Sequence, residues 1–209
     1  MRLEVEALAL RRGGRLLFEN LSFAANAGAY VELRGKNGAG KTSLLRALAG
    51  WLPPASGAIR FPGLEEPALA MHVLGHGDGL KAPLTPRAHV DFWARLLGTG
   101  KARAAPNVEK TQVGNVLTFV GLSAAADLPA RFLSQGQQRR LALARLFAAP
   151  RPLWLLDEPS AALDAEGKAL LANFIAAHAR GGGIVIAAVH EPIGPSPDHV
   201  IDLSESAAS

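Results

Sequence analysis

The sequence predicts an α/β protein: a mostly parallel sheet, an N-terminal antiparallel β part, and a helical subdomain inserted in the middle of the chain. Three observations carry this expectation. Short apolar runs suited to buried strands alternate with segments of helical spacing, a glycine-rich loop joins one such strand to a helix, and residues 77–132 replace the alternation with helix-rich sequence.

Taken in order, LEVEALAL at 3–10 alternates as a strand with one covered face, and AYVELRG at 29–35 is a short buried strand. The segment 41–50 follows the glycine loop as a helix, and ALAMHVLG at 68–75 is a second buried strand. Helical spacing returns over 85–97 and 135–148, and LWLLD and IVIAAV form two more fully buried strands. Between those two, 164–179 is a helix capped by Asp164 and ended by three glycines. Within 77–132, the stretch Gly100–Pro106 reads as a break. The division is then a core over 1–76 and 133–209 and a helical subdomain over 77–132, all within one domain spanning 1–209. No internal repeat or low-complexity tract is evident, and the last residues, SESAAS, are expected to fray.

With 209 residues, 49% hydrophobic and 19% charged, the chain can bury one substantial core. Glu4 and Glu6 stand where a signal peptide would be basic, and no apolar run reaches the roughly 18 residues of a membrane span, so neither export nor spanning is expected. The absence of cysteine excludes disulfides, thiolate zinc sites and iron–sulfur ligation. A net charge of +4 suits an anionic ligand, an acidic membrane surface or nucleic acid, and equally an ordinary soluble protein.

The chemistry is more specific. Gly35, Lys36, Asn37, Gly38, Ala39, Gly40, Lys41 and Thr42 match G-x-x-x-x-G-K-[ST] between a strand and a helix, with Ser43 next in line. Backbone N–H groups of such a loop wrap phosphates at a helix N-terminus, Lys41 reaches the β- and γ-phosphates, and Thr42 ligates Mg²⁺. This predicts an ATP site. In LWLLDE an apolar strand ends in two acids, of which Asp157 would hold Mg²⁺ and Glu158 would polarise the attacking water. LSQGQQRR at 133–140 precedes a helix about twenty residues ahead of that strand, and by itself Ser134 is a good helix cap.

In this order and spacing the chain resembles the ABC ATPase family, whose LSGGQ motif differs here only at Gln135. The resemblance implies that Ser134, Gly136 and the helix N-terminus, with Gln135 and Gln137 beside them, contact the γ-phosphate of ATP held by a second subunit. It implies too that SAALD, ending at Asp164, crosses the dimer interface, and that His190 at the end of IVIAAVH contacts the γ-phosphate. One position departs from the family pattern. Adenine usually stacks on an aromatic residue before the first β-turn, and here Arg12 stands there. A guanidinium can stack on a base through its planar face, while Arg11, Arg12 and Arg15 equally suit a solvated turn.

The detailed run resembles the ATP-binding subunits of bacterial cytochrome c maturation haem exporters. The matching stretches are RRGGRLLFENLSF, SLLRALAGWLPPASG, LGHGDGLKAPLT followed by FWARLLG, and LSQGQQRRLALARL followed by PRPLWLLDEPSAALD. In that family a histidine replaces the Q-loop glutamine, so His76 would offer an acceptor nitrogen to Mg²⁺ or the attacking water; the other reading is a polar loop residue facing water. The resemblance implies a homodimer on the cytoplasmic face of the bacterial inner membrane, bound to integral-membrane permease subunits, with ATP and Mg²⁺ as cofactors. Its work would be haem export or ATP-driven release of a loaded periplasmic haem chaperone. Phe92, Trp93 and Leu96 would grip a partner helix, or else form the subdomain's own core.

Direct haem binding is not expected, although His72 and His76 lie four residues apart on a predicted strand, where even spacing faces both to one side. Nucleic acid is not an expected partner. The alternatives are the ATPase subunit of another small-substrate transporter, or a soluble ABC ATPase that remodels a nucleic-acid or protein complex; a P-loop kinase leaves LSQGQ unexplained.

Overall fold

Side chains alternate across each buried strand, so a parallel sheet of apolar strands needs cover on both faces, and this requirement arranges the chain. The computed structural model describes residues 1–97 and 110–204. The predicted break at 100–106 and the terminal residues after Ser204 lie outside the described residues.

The strands are β1 (Arg2–Arg12), β2 (Arg15–Asn26), β3 (Tyr30–Arg34), β4 (Ser56–Arg60), β5 (Met71–Leu74), β6 (Leu153–Asp157), β7 (Ile184–Ala188) and β8 (His199–Asp202). The helices are α1 (Lys41–Leu48), α2 (Pro86–Leu97), α3 (Lys110–Phe119), α4 (Gln135–Ala148) and α5 (Ala165–Arg180). An antiparallel sheet runs in the order β2-β1-β4, and a parallel one in the order β5-β6-β7-β3-β8. Gly13 and Gly14, at φ 58° and 80°, make the two-residue turn that joins β1 to β2 with Arg12 opposite Arg15. Only residues tolerant of left-handed backbone allow that turn.

One face of the parallel sheet buries Val31, Leu33, Leu153, Leu155, Ile184 and Ile186 against Leu44, Leu45 and Leu48 of α1 and the inner face of the antiparallel sheet. The other buries Tyr30, Leu74, Trp154, Leu156, Val185 and Ala187 against α4 and α5, continuous with the packing of α2 and α3. The predicted elements recur at these positions, with one shortened: the strand expected over 68–75 begins with a 3₁₀ turn at Pro67–Ala70 and is extended only over Met71–Leu74. β2, β4 and β8 were not resolved individually from sequence; β8 is a largely exposed edge strand and lacks an apolar run. Among the described residues no helix is long and apolar enough to cross a membrane.

One open alternative is decided and one expectation needs correction. Trp93 is a core residue, 5% exposed, whereas its neighbours Phe92 and Leu96 are 52% and 58% exposed. The spacing of α2 turns Trp93 inward toward the α3–α4 packing. His72 and His76 do not share a strand face, because the strand ends at Leu74. His72 is buried and donates its Nε2–H to the Ala149 carbonyl over 2.6 Å, while the His76 side chain is 78% exposed in the following loop.

β3 holds a charge the sequence reading did not expect inside the sheet. Glu32 is fully buried, and its carboxylate accepts from the Tyr30 hydroxyl at 2.8 Å and from Arg34 Nε and Nη2 at 3.0 and 2.6 Å. Tyr30, Glu32 and Arg34 share one face by the period-two rule, so a single strand supplies both the buried acid and its donors. Burial pushes the Tyr30 hydroxyl well above its ordinary range, with the Glu32 bond adding to it.

Burial also depresses His72, from 6.5 to about 4, outweighing its bond to Ala149. The folded state therefore binds its proton later than the unfolded chain, and the stability contributed by neutral His72 is complete above about pH 6.5 and declines as pH falls toward 4. Urea unfolding at pH 7.5 and pH 5 should reveal a loss of about 2 kcal/mol from this group. A His72→Gln chain should show a correspondingly shallower loss; identical slopes would refute the assignment.

Candidate functional site

The glycine loop is shaped by what lies under it. Gly40 has φ 106°, and a Cβ there would come within 3.1 Å of the Phe18 ring, so β2 presses against the start of α1. The loop's Gly35 also has a left-handed φ, 134°, and Ala39 N–H closes the turn onto the Lys36 carbonyl at 3.1 Å. Lys41 Nζ folds over the loop and donates to the carbonyls of Gly35 at 2.6 Å and Lys36 at 3.4 Å. A cavity of about 370 Å³ opens above it, lined by Lys36, Asn37, Gly38, Gly40, Lys41, Thr42 and Ser43, together with Arg12, Leu17, Glu158 and His190. Arg12 reaches this wall because the Gly13–Gly14 turn is the end of the hairpin whose β2 strand packs beneath the loop.

At the end of β6 the two acids separate. Thr42 Oγ1 donates to Asp157 at 2.9 and 3.1 Å from the two carboxylate oxygens, so a hydroxyl and a buried carboxylate meet at the mouth of the P-loop. Such a hard-oxygen pair fits Mg²⁺, which takes one or two protein oxygens and completes its shell with phosphate and water. Among the described residues no group of three or more His, Asp or Glu side chains is arranged to hold a metal ion, so a dedicated all-protein metal cage is not what the site offers. Glu158 turns away in left-handed backbone at φ 48°, a conformation that costs a non-glycine residue on the order of 1–3 kcal/mol unless its surroundings hold it. Its carboxylate lies between two imidazoles. His190 Nε2 donates to Oε1 at 2.9 Å, and His76 Nδ1 stands 3.7 Å from Oε2.

The LSQGQ segment lies outside this cavity. Ser134 and Gln135 are exposed, Gly136 and Gln137 half-buried. Ser134 caps α4 with a complete capping box: its Oγ accepts from Gln137 N–H at 3.2 Å, and Gln137 Oε1 accepts from Ser134 N–H at 2.9 Å. A Cβ at Gly136 would come within 3.1 Å of the Ala162 carbonyl, so the start of α4 and the SAALD loop approach backbone to backbone. Asp164 caps α5 through the Gly167 N–H at 2.8 Å and accepts from Arg140 Nη2 at 2.8 Å. The Gly167 bond first, then Arg140, holds its carboxyl below the usual range. Within the chain, Asp164 is therefore tied to its own helix and to α4.

Sequence reasoning missed the residue that joins these parts. Arg139, 2% exposed, uses every N–H it has: Nε to the Pro159 carbonyl at 3.2 Å, Nη1 to the Gly75 carbonyl at 3.1 Å and Asp78 Oδ1 at 2.9 Å, and Nη2 to the carbonyls of Asp157 at 3.0 Å and Glu158 at 2.7 Å. A signal was present. Arg139 precedes Ala142, Leu143 and Leu146 by three, four and seven residues, so a helical reading places its guanidinium on a covered face, where an acceptor set is obligatory.

The sequence model of the ABC transporter family matches residues 18–161. Among curated relatives, the cytochrome c biogenesis ATP-binding export protein CcmA of Rhodopseudomonas palustris is 47% identical over 93% of this chain and 94% of its own length. The protein of the same name from Rhizobium johnstonii is 46% identical over 93% and 90%. Among solved structures, an ABC transporter ATP-binding protein of Pyrococcus furiosus superposes with a TM-score of 0.86 over the whole of both chains at 23% identity, a likeness of fold. An ATP-binding subunit of an ABC transporter does so with a TM-score of 0.77 over 90% of this chain and 80% of that one at 22% identity. With the P-loop, the Thr42–Asp157 pair and the LSQGQ helix in this arrangement, the chain belongs to the ABC transporter family and is one of its ATP-hydrolysing members.

Proposed function

We propose that this chain is the ATP-hydrolysing subunit of a membrane export complex serving cytochrome c biogenesis. It works as a homodimer on the cytoplasmic face of the bacterial inner membrane, with integral-membrane permease subunits as partners. The observation that carries the reading is its likeness, at 43–47% identity, to export proteins of that name over most of their length. Haem transport and ATP-driven release of a loaded haem chaperone would both use the same hydrolysis cycle.

In this reading Gly35–Gly40 wrap the phosphates, Lys41 meets the β- and γ-oxygens, and Ser43, on the cavity wall, adds to the ATP contacts. The Arg12 guanidinium offers its planar face to adenine. Thr42 and Asp157 would hold Mg²⁺, which supplies charge neutralisation between the β- and γ-phosphates. Glu158 accepts a proton from the water that attacks the γ-phosphorus. His190 keeps that carboxylate oriented and faces the γ-phosphate, and His76 adds an acceptor nitrogen beside the water and the metal. Ser134, Gln135, Gly136 and Gln137 are turned away from their own chain's cavity, which favours ATP bound by a second copy; Asp164 and the SAALD loop lie along the same interface. The helical subdomain over 77–132 displays Phe92 and Leu96, and Trp51 is 67% exposed beside a cleft of about 250 Å³ that includes Met71, His72 and Arg151. These apolar surfaces suit a partner helix. His72 is buried and His76 lies beyond the end of β5, so the two offer no shared strand face as an axial-ligand pair.

Glu158→Gln should bind ATP as the wild type does and hydrolyse it more slowly by roughly 10²–10⁴, the range for losing a positioned base. In a strain lacking the wild-type gene, that variant should fail to restore haem-containing c-type cytochromes; normal cytochrome levels in the strain without the gene would overturn the export assignment. His76→Gln should keep hydrolysis within about tenfold, about 1.4 kcal/mol in the barrier, and His76→Ala should lose more. Equal rates for all three chains would return His76 to a solvent-facing loop residue. Ser134→Asp retains a good N-cap, so thermal stability should change little. Its negative charge should suppress ATP-dependent dimerisation of a Glu158→Gln chain, measured by light scattering; undiminished dimerisation would exclude Ser134 from the interface.

A further inference from the structure

We propose that Arg139 and Asp78 are positioning residues for ATP hydrolysis: one guanidinium sets the separation between His76 and the Glu158 carboxylate, and Asp78 holds the His76 loop onto it. The inference rests on the reading of Glu158 as base and His76 as an acceptor beside the attacking water.

The loop has little stiffness of its own. Gly75, His76, Gly77, Asp78 and Gly79 follow one another directly after β5, and a Cβ added at any of the three glycines would meet nothing within 4 Å. The glycines are therefore not required by packing, and they enlarge the entropy lost when the loop is ordered. Order comes from outside it. Arg139 Nη1 bonds the loop on both sides of His76, at the Gly75 carbonyl over 3.1 Å and at Asp78 Oδ1 over 2.9 Å. Nη2 of the same planar group bonds the carbonyls of Asp157 and Glu158 at 3.0 and 2.7 Å. His76 and Glu158 belong to different segments, yet each is referred to one rigid fork. The 3.7 Å between their side chains follows from it. A lysine could not do this, since its three donors radiate from one point on a flexible stem.

Asp78 is the detachable part of the arrangement. Its side chain is 25% exposed while that of Arg139 is 3% exposed, and among the described residues it is the one charged partner of a guanidinium otherwise held by backbone carbonyls. Removing its carboxylate should free the His76 loop and leave the β6 side of the fork in place. Downstream, Lys81 N–H donates to His89 Nε2 of α2 at 2.9 Å, so the loop is moored at Arg139 and then at the helical layer.

The test is a mutant cycle on the full chain. Asp78→Ala should lower kcat about tenfold, with KM for ATP and the ATP dissociation constant within about twofold of wild type. In a His76→Ala background the same substitution should cost less than twofold, because the group it positions is gone. Asp78→Asn, which keeps an acceptor oxygen, should fall between Asp78→Ala and wild type. In the nucleotide-free chain, the backbone N–H order parameters of Gly77 and Gly79, measured by NMR relaxation, should fall in Asp78→Ala, with those of α4 unchanged. A tenfold loss that persists in the His76→Ala background, unchanged order parameters at the two glycines, or wild-type kcat in Asp78→Ala overturns the positioning role. Wild-type hydrolysis by Glu158→Gln would instead sink the underlying reading of the base, so the two failures are distinguishable.

Discussion

The Arg139 guanidinium is the point on which the site depends. Five N–H donors in a fixed plane meet five oxygens from three segments: the loop after β5, the end of β6, and the turn beyond it. Burying a cation costs several kcal/mol unless its donors are satisfied, and here every donor is. The fork in turn satisfies carbonyls that would otherwise be stranded at a buried strand end, including that of Glu158 in its left-handed conformation. Because Arg139 rides on α4, one turn beyond the Ser134 cap, the LSQGQ end of the helix and the acidic strand form one mechanical unit.

Around that unit the sheet decides what lies on which side. Period-two alternation in β3, β6 and β7 sends Val31, Leu155 and Ile186 toward α1 and the hairpin sheet, and Tyr30, Trp154 and Val185 toward α4 and α5. The first layer supports the P-loop from below through Phe18 and Leu17. The second carries the helices that present LSQGQ and SAALD. Asp157, Glu158 and the P-loop meet because both segments emerge from the same carboxyl edge of the sheet, where α/β folds gather their ligands.

Charge inside the sheet follows the same rule of satisfaction. Glu32 lies in the middle of a central strand, yet its neighbours two residues away on either side provide a hydroxyl and a guanidinium, so the burial is local and complete. His72 is handled in the opposite way. Among the described residues no anion is paired with it, and burial keeps it neutral with one carbonyl as acceptor. The two cases differ in their partners: the Glu32 carboxylate has a hydroxyl and a guanidinium as donors, whereas the His72 imidazole, bonded to a carbonyl, gains too little to offset desolvation.

Much of this was legible in the residues alone. The alternation of buried strands and helices, the Gly35–Thr42 loop, the Asp157–Glu158 strand end and the Ser134 cap are local patterns, each set by backbone geometry within a few residues, and each recurs where the sequence placed it. What tertiary structure decided is which distant groups share a space. The outward turn of His76 and the inward turn of His72 depend on where β5 stops, and Gly75 by itself does not decide whether the strand runs on past Leu74. The placement of Arg12 on the cavity wall depends on the β1–β2 hairpin, whose Phe18 packs beneath Gly40 of the glycine loop. The pairing of Asp78 with Arg139, sixty-one residues apart, has no period or motif behind it. It arises from the requirement that a buried guanidinium find an acceptor for every donor, a condition imposed only once the surrounding layers have closed.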